Sequence, residues 1–333
     1  ADLMSRLAGR GGRPRHRAEA LLRRHAIDRA PAWGIGRLIA RHAGPGVIFL
    51  TVGHSNLTGR LLGPLRKAGV RVVAMVHDLI PLTHPDTVPP DMPARFATRI
   101  ETLRRHADMV LCNSARTAEE LGRHWQDATR QPDRVVVPLG LDPVGRPDVE
   151  KDPAAFVMLG TIEPRKNHAL MLEVWEALAA DPGLPRMPVL HLIGPRGWHD
   201  RAFFDRLAAH PLYGRQIIEH GPLPEPEMRA RLAAAGALLF PSLAEGYGYP
   251  PLEAQMLGTL PVVADIPTLH EVLGPHAVYL PPDRAYPWVE TIKKCLSGTL
   301  RLPEPRADPP PSWEDHFHAV QRAIRGDRTK DSP

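Results

Sequence analysis

Short apolar segments alternate with longer amphipathic segments along most of the chain. The apolar segments predict strands at Val47–Val52, Val70–Val76, Met109–Cys112, Val135–Val137, Phe156–Leu159, Val189–Ile193, Ile217–Ile218, Ala237–Phe240, Pro261–Ala264 and Ala277–Leu280. The amphipathic segments predict helices at Arg95–His106, Ala115–Trp125, Ala169–Ala179, Glu225–Ala235, Pro251–Leu257 and Arg284–Leu296. Apolar strands separated by helices are typical of parallel sheets covered on both faces. The pattern therefore predicts an α/β protein with two parallel sheets.

A proline-rich, charged segment separates the two predicted sheets. Residues 142–153 lack apolar periodicity and predict an interdomain linker between an N-terminal domain, residues 1–141, and a C-terminal domain, residues 154–311. The later segment SWEDHFHAVQRAI predicts a helix within residues 312–326 that returns to the N-terminal domain. Residues 1–46 contain no clear strand, so we expect the front of the first domain to be incomplete or divergent.

The charge distribution argues against a nucleic-acid partner. The chain has 333 residues, 43% of them hydrophobic, and a net charge of +5, and that excess lies within the first 26 residues. No zinc-finger, stacking-aromatic or recognition-helix pattern accompanies the arginines. The Arg-rich residues 6–24 are interpreted either as a solvated helix surface or as a contact with anionic lipid.

Three features predict a cytoplasmic location. No apolar run approaches the roughly 18 residues that a membrane span needs. Residues 1–26 lack the apolar middle of a secretory leader. Cys112 and Cys295 are far apart in apolar surroundings, which predicts buried thiols rather than a disulfide or a metal pair. Lipid contact through residues 6–24 would place the protein peripherally at the inner face of the plasma membrane.

The first motif with evident chemistry is LGTIEPRKNHAL, which follows the first strand of the second domain. Gly160 ends that strand, Arg165 and Lys166 stand side by side, and Asn167 precedes a helix that it is expected to cap. Two cations beside a helix N-terminus suit a diphosphate, because the dipole, the free amides and the formal charges act together. A solvated surface pair is the alternative, and the strand–loop–helix context favours the diphosphate site.

The second motif is EGYGYPPLEA, which follows a strand ending at Phe240. Glu245 lies in the loop, and Glu253 is predicted in the first turn of a helix opened by Pro250 and Pro251. A carboxylate accepts two hydroxyl donors at once, which suits the vicinal diols of ribose or hexose. A helix-dipole role is the alternative for Glu253, but it accounts for neither the glycine-rich loop nor Glu245.

These motifs resemble those of a known enzyme family. Glu245 and Glu253 within EGYGYPPLEA are similar to the EX7E signature of retaining family 4 glycosyltransferases, and GTIEPRKN resembles that family's phosphate-binding motif. VHDLIPLTHP and ADMVLCNSARTAEEL resemble bacterial O-antigen and capsule mannosyltransferases, and VVPLGLD resembles the family's crossover into the second domain. The resemblance covers residues 47–325, although the family's N-terminal strand and glycine-rich loop are not recognisable.

The resemblance implies the GT-B fold, in which two Rossmann-like domains face each other across a cleft. It implies transfer of a hexose, mannose first, from a nucleotide-diphosphate sugar to a polysaccharide or lipid-linked glycan. Arg165 and Lys166 would neutralise the departing diphosphate, Glu253 would hold the ribose hydroxyls, and Glu245 would hold the sugar hydroxyls. His77 would face the sugar. The remaining donor-binding positions are Gly160, Leu223, Gly246, Tyr247, Gly248 and Tyr249. Asp78 is interpreted as the cap of the turn that follows it.

The family also implies catalysis without a metal ion, and no Asp-x-Asp cluster is present to hold Mg²⁺ at a diphosphate. No cofactor is expected. GDP-mannose is the favoured substrate over UDP- and dTDP-sugars. A GT-B sugar-nucleotide epimerase and a non-catalytic sugar-nucleotide-binding protein are the alternatives. No strand precedes G-x-G-x-x-G, which argues against a nicotinamide-linked oxidoreductase.

Overall fold

The computed structural model describes residues 24–44, 46–53, 57–143, 145–199, 201–301, 303, 306 and 308–326. The strands in these ranges are β1 Ile48–Thr51, β2 Arg71–Val76, β3 Met109–Cys112, β4 Asp133–Val136, β5 Asp152–Leu159, β6 Val189–Ile193, β7 Ile217–Gly221, β8 Ala235–Phe240, β9 Leu260–Ala264 and β10 Val278–Leu280. The helices are α1 Ile35–Ala43, α2 Gly59–Lys67, α3 Ile80–Thr83, α4 Met92–His106, α5 Ala115–His124, α6 His168–Ala179, α7 Arg201–Ala208, α8 Glu225–Ala234, α9 Tyr249–Met256, α10 Pro267–Leu273, α11 Ala285–Leu296 and α12 Trp313–Arg325.

The strands form two parallel sheets, as predicted. The first has the order β1-β2-β3-β4, and the second has the order β10-β9-β8-β5-β6-β7. Each predicted strand and each predicted helix is present, with ends that shift by a few residues. The largest shift is at β5, which begins at Asp152, so the last two residues of the predicted linker belong to the second sheet. The fold class is therefore confirmed: two α/β domains, each built on a parallel sheet.

Each domain has its own apolar core. In the N-terminal domain, every residue of β2 after Arg71 is buried, as expected for a parallel strand covered on both faces. In the C-terminal domain, Trp175 of α6 lies edge-on to Phe156 of β5, and its indole N–H donates to the Pro188 carbonyl oxygen at 3.1 Å. Trp288 of α11 is equally buried in the same core.

The last described helix, α12, packs against the N-terminal domain. Ser312 and Asp315 form a capping box at its start, which fixes where the helix begins. Val320 packs into the cluster built by β2 and β3, and His316 Nδ1 lies 2.8 Å from the Pro138 carbonyl oxygen. Helix α12, which follows the second domain in the chain, thus packs against the first domain. No helix in the described ranges is both long and apolar enough to span a membrane.

Candidate active site

Three loops meet between the two domains, and each follows the carboxyl end of a strand. They follow β2, β5 and β8, at the sheet edge where open α/β sheets bind ligands. A cavity of about 390 Å³ lies between them. The C-terminal domain lines it with Glu163, Arg165, Trp198, Glu245 and Gly246, and the N-terminal domain lines it with Asp78, Ile80, Pro81, Thr87, Val88, Pro89, Met92, Phe96 and Arg99.

The loops after β5 and β8 are joined by buried ion pairs. Lys166 Nζ lies 2.7 Å from Glu245 Oε1, and Arg165 Nη1 lies 2.7 Å from Glu245 Oε2. The Glu245 side chain is 8% exposed and that of Lys166 is 10% exposed. Arg165 also donates to Glu163 Oε1 through Nε at 3.0 Å and Nη2 at 2.7 Å. Two predicted cations and one predicted carboxylate therefore lie together, and Glu163 completes the cluster.

The charge state of Glu245 follows from this cluster. Burial raises the pKa of its carboxyl group, but Lys166 and Arg165 outweigh burial and hold the pKa below its ordinary value. Glu245 is therefore ionised at neutral pH and can accept hydrogen bonds from hydroxyl groups. The Lys166 ammonium also lies 4.3 Å from the centre of the Phe240 ring, a cation–π contact that helps to hold it in place.

Backbone conformation brings these residues together. Gly160 has φ 138°, and a Cβ there would lie 3.3 Å from Lys166 Cε, so a side chain would crowd the lysine. Asn167 has φ 58°, and its amide donates to the carbonyl oxygens of Pro241 at 3.2 Å and Pro282 at 2.8 Å. The predicted side-chain cap is therefore wrong, because the left-handed backbone of Asn167 turns its amide to those carbonyl groups. Asn167 instead ties the loops after β5, β8 and β10 together.

Glu253 lies deeper in its helix than predicted. Helix α9 begins at Tyr249, which makes Glu253 its fifth residue and leaves no acidic residue in the first turn. The helix-dipole effect fades beyond that turn, so it explains Glu253 poorly. Burial raises the pKa of the half-buried carboxyl group. Its oxygens make no hydrogen bond or ion pair with any residue in the described ranges. They therefore have the capacity to bind ligand hydroxyls.

His77 lies where the two domains touch. Its Nε2 lies 2.7 Å from the Val52 carbonyl oxygen, and because a carbonyl oxygen can accept but not donate, Nε2 carries the proton. A Cβ on Gly246 would lie 2.3 Å from the His77 carbonyl oxygen, and Ser114 Oγ donates to the Gly246 carbonyl at 3.1 Å. Glycine at position 246 thus allows the Glu245 loop to approach the His77 backbone. The predicted role of His77 toward the sugar stays a prediction.

The two tyrosines of the motif bind the domain crossover through their side chains. The Tyr247 hydroxyl donates to the Leu139 carbonyl oxygen at 2.9 Å, and the Tyr249 hydroxyl donates to that of Gly140 at 3.0 Å. Gly248 has φ 100° and lies at the N-cap of α9. These contacts fix the loop against the crossover, while its backbone contribution to donor binding stays a prediction.

Sequence reasoning missed Glu163, although its position two residues before Arg165 on a tight loop was a usable signal. Asp78 was predicted as a cap, and its Oδ1 accepts from the Ile80 N–H at 3.0 Å. Asp78 also lines the cavity, where burial raises its pKa and Arg165 partly opposes this effect. Leu223 is half-buried against the apolar cluster beside α9, and its predicted contact with the base stays a prediction.

Comparison with known proteins identifies the family of the chain. Residues 4–144 match the family model described as Glycosyltransferase Family 4, and residues 145–307 match Glycosyl transferases group 1. The boundary between these matches falls inside the predicted linker. A D-inositol 3-phosphate glycosyltransferase of Catenulispora acidiphila is 30% identical over 289 residues, which are 79% of this chain and 67% of that protein.

Two further similarities were found, one in sequence and one in fold. The serotype-specific mannosyltransferase WbdA of Escherichia coli is 28% identical over 264 residues, 74% of this chain and 32% of that protein. The Anabaena Alr3699/HepE structure in complex with UDP and glucose superposes with a TM-score of 0.62 at 15% identity, covering 93% of this chain and 87% of that one. The latter similarity concerns the fold alone.

This chain belongs to the family 4 glycosyltransferases and has their two-domain GT-B fold. The predicted family membership and enzyme class are therefore confirmed. The chain spans about a third of the length of the curated mannosyltransferases that it matches. Of the predicted lipid-binding segment, residues 6–23 lie outside the described residues, and that contact stays a prediction.

Proposed function

We propose that this glycosyltransferase moves a hexose, mannose first, from a nucleotide-diphosphate sugar to a hydroxyl of a polysaccharide or lipid-linked glycan, with retention at the anomeric carbon. The observation that carries the proposal is the cluster of Arg165, Lys166 and Glu245, of which Arg165 and Glu245 line the interdomain cavity. Arg165 and Lys166 supply cations for a diphosphate, and Glu245 supplies a carboxylate for sugar hydroxyls. All three side chains are largely buried.

Arg165 and Lys166 each have a role in the proposed reaction. The acceptor oxygen bonds to the anomeric carbon while that carbon's bond to the phosphate oxygen breaks, and the departing phosphate oxygen takes the acceptor's proton. Arg165 and Lys166 stabilise the negative charge that develops on the phosphate, rather than a metal ion. Preorganised charges of this kind contribute roughly 10²–10³ in rate each.

The cations have hydrogen-bonding capacity left for this task. Lys166 Nζ has three N–H donors and uses one on Glu245. Arg165 has five, and the described residues take four of them: two by Glu163, one by the Ala244 carbonyl oxygen and one by Glu245. Phosphate oxygens can therefore be bound while the Glu245 ion pairs stay in place.

The choice of mannose and GDP rests on similarity to proteins named mannosyltransferases, among them WbdA. UDP- and dTDP-sugars are the second choice. Similarity to proteins named glycosyltransferases also supports transfer over the epimerase and the non-catalytic alternatives. A cytoplasmic location is part of the proposal, since a nucleotide sugar is its substrate.

The experiment is a thermal-denaturation panel with GDP-mannose, UDP-glucose, dTDP-rhamnose and the free nucleotides. A ligand at a hundred times its Kd stabilises the folded state by about 2.7 kcal/mol, which raises the melting temperature measurably. We expect GDP-mannose to give the largest increase, and a glycan acceptor added with it to yield an α-linked product by NMR. Failure of every nucleotide and every nucleotide sugar to raise the melting temperature would contradict the proposal.

A further inference from the structure

Arg99 is a cavity-lining cation that is not bound by any residue the structure describes. It lies on α4, is half-buried, and makes no hydrogen bond or ion pair with any other described residue. Arg165, the other arginine of the cavity, is surrounded by two carboxylates and a carbonyl group. The two arginines therefore differ in how far carboxylates of the described residues already neutralise their charge.

The carboxylates of the cavity do not neutralise Arg99. Asp78 accepts from the Ile80 N–H, and the charge acting most strongly on it is that of Arg165. Glu163 and Glu245 are both bound to Arg165. No carboxylate among the described residues therefore binds Arg99, and an anion entering the cavity would meet a cation that can bind it.

The wall around Arg99 is apolar. Met92, Phe96 and Arg99 follow each other at spacings of four and three residues, which places them on one face of α4. Val88 and Pro89 continue this wall. The N-terminal side of the cavity thus combines Arg99, which no described residue binds, with apolar side chains and the polar Asp78 and Thr87, and the C-terminal side contributes Glu163, Arg165 and Glu245.

We propose that the acceptor carries an anionic group, a phosphate or a carboxylate, that pairs with Arg99 while a less polar part of the acceptor lies against the Met92–Phe96 face of α4. This inference rests on the proposed function, because it assigns the cavity's N-terminal side to the acceptor. Arg99 would make the bidentate contact that guanidinium groups form with phosphate and carboxylate oxygens. It would thereby determine acceptor specificity.

The test measures binding of matched anionic and neutral probes to the full chain saturated with GDP. The pairs are mannose 6-phosphate against methyl mannoside, and glucuronate against glucose, titrated calorimetrically. We expect the anionic member of at least one pair to bind about ten- to a hundredfold more tightly than the neutral one. Arg99→Gln should abolish this preference, and Arg99→Lys should restore part of it.

Arg95→Gln is the matched control. Arg95 lies one turn earlier on α4, is exposed, and is paired with Asp91 at 2.8 Å, so its loss should leave the preference unchanged. A short-chain polyprenyl phosphate, added as a third probe, distinguishes a lipid-borne phosphate from a sugar-borne one, since a lipid-borne acceptor should bind more tightly than mannose 6-phosphate.

The outcomes separate this inference from the proposed function. If no nucleotide binds, the proposed function fails. If GDP binds but no anionic probe binds more tightly than its neutral partner, or if the preference survives Arg99→Gln, the inference fails and the proposed function stands.

Discussion

Lys166 and Glu245 lie 79 residues apart in the chain, yet their charged groups are 2.7 Å apart and both side chains are nearly inaccessible to solvent. The pair joins the loops after two neighbouring strands of the second sheet, β5 and β8. Charges this deeply buried are tolerated when each is paired, and they become costly when one partner is removed. The contact therefore fixes the shape of the site and makes it sensitive to substitution.

The first prediction concerns stability. Lys166→Met keeps the aliphatic chain but leaves Glu245 with Arg165 as its one remaining cation. We expect a loss of about 3 kcal/mol in the free energy of unfolding, measured by urea denaturation. Lys293→Met is the control, because Lys293 forms a more exposed pair with Asp181, and the loss of that pair should change the free energy of unfolding far less. Equal losses in the two variants would show that the buried pair has no special role.

The second prediction concerns nucleotide binding. Arg165→Ala and Lys166→Ala should each weaken nucleoside diphosphate binding about ten- to a hundredfold, because each removes charge-assisted hydrogen bonds. The monophosphate should lose less, since it offers fewer oxygens. Arg186→Ala, at an exposed pair with Asp152, should change neither affinity. Wild-type affinity in the Arg165 and Lys166 variants would remove both residues from the diphosphate site.

The third prediction concerns pH. Because Lys166 and Arg165 lower the folded-state pKa of Glu245, its ionisation stabilises the protein above the unfolded value of about 4.5 and loses that effect as the pH falls through the folded pKa. The stability advantage of the wild type over Glu245→Gln should therefore shrink on acidification.

For Glu253 the sign is opposite. Burial raises its folded-state pKa, so the wild type loses stability as the pH rises from about 4.5 through that pKa. The stability of Glu253→Gln relative to wild type should therefore increase over this range. Parallel pH profiles for the two variants, recorded by thermal denaturation, would contradict the assigned charge environments.

The fourth prediction concerns the contact between the domains. Glu271 of α10 accepts from the N–H groups of Ala115 at 2.5 Å and Arg116 at 2.9 Å, at the N-terminus of α5 in the other domain. Glu271→Gln replaces one acceptor oxygen by a donor that faces an N–H group, which should cost about 0.5–1.5 kcal/mol because both hydrogen bonds are solvent-exposed. The loss should appear as a wider interdomain separation in small-angle scattering and a lower melting temperature. Glu227→Gln, at an exposed pair with Arg231, should alter neither property.

Much of the fold followed from local pattern. All ten strands were predictable because each contains a short apolar run, although β1, β4 and β10 have no buried residue. Helices α1, α2, α3, α7 and α10 were not among the predicted helices. Three of the nine residues of α2 are glycine or proline, Pro64 among them. Helix α10 has seven residues, too few to show the helical period of apolar positions. Such helices form because neighbouring elements pack against them, and the local sequence pattern does not predict that packing.

The charged residues of the site were predictable from the sequence, but the contacts between them were not. Arg165, Lys166 and Glu245 were each identifiable from their loops, but their pairing depends on β5 and β8 being adjacent in the sheet. Asn167 was assigned as a cap from residue type, and its positive φ overrode that preference. Arg99 had no local signal, since one arginine on a helix rich in arginine is distinguished by its partners alone.

The most direct test of the donor site is a calorimetric titration of nucleotide and nucleotide sugar into Glu245→Gln and Glu253→Gln. An amide keeps one acceptor oxygen and places a donor where the second acceptor stood, so each substitution removes one hydroxyl contact without a change in size. If Glu253 binds ribose, Glu253→Gln should weaken both ligands. If Glu245 binds the transferred sugar, Glu245→Gln should weaken the nucleotide sugar more than the free nucleotide, whose smaller loss comes from the disturbed contacts of Arg165 and Lys166. Equal loss of both ligands in both variants, or no loss in either, would contradict this division between the two glutamates.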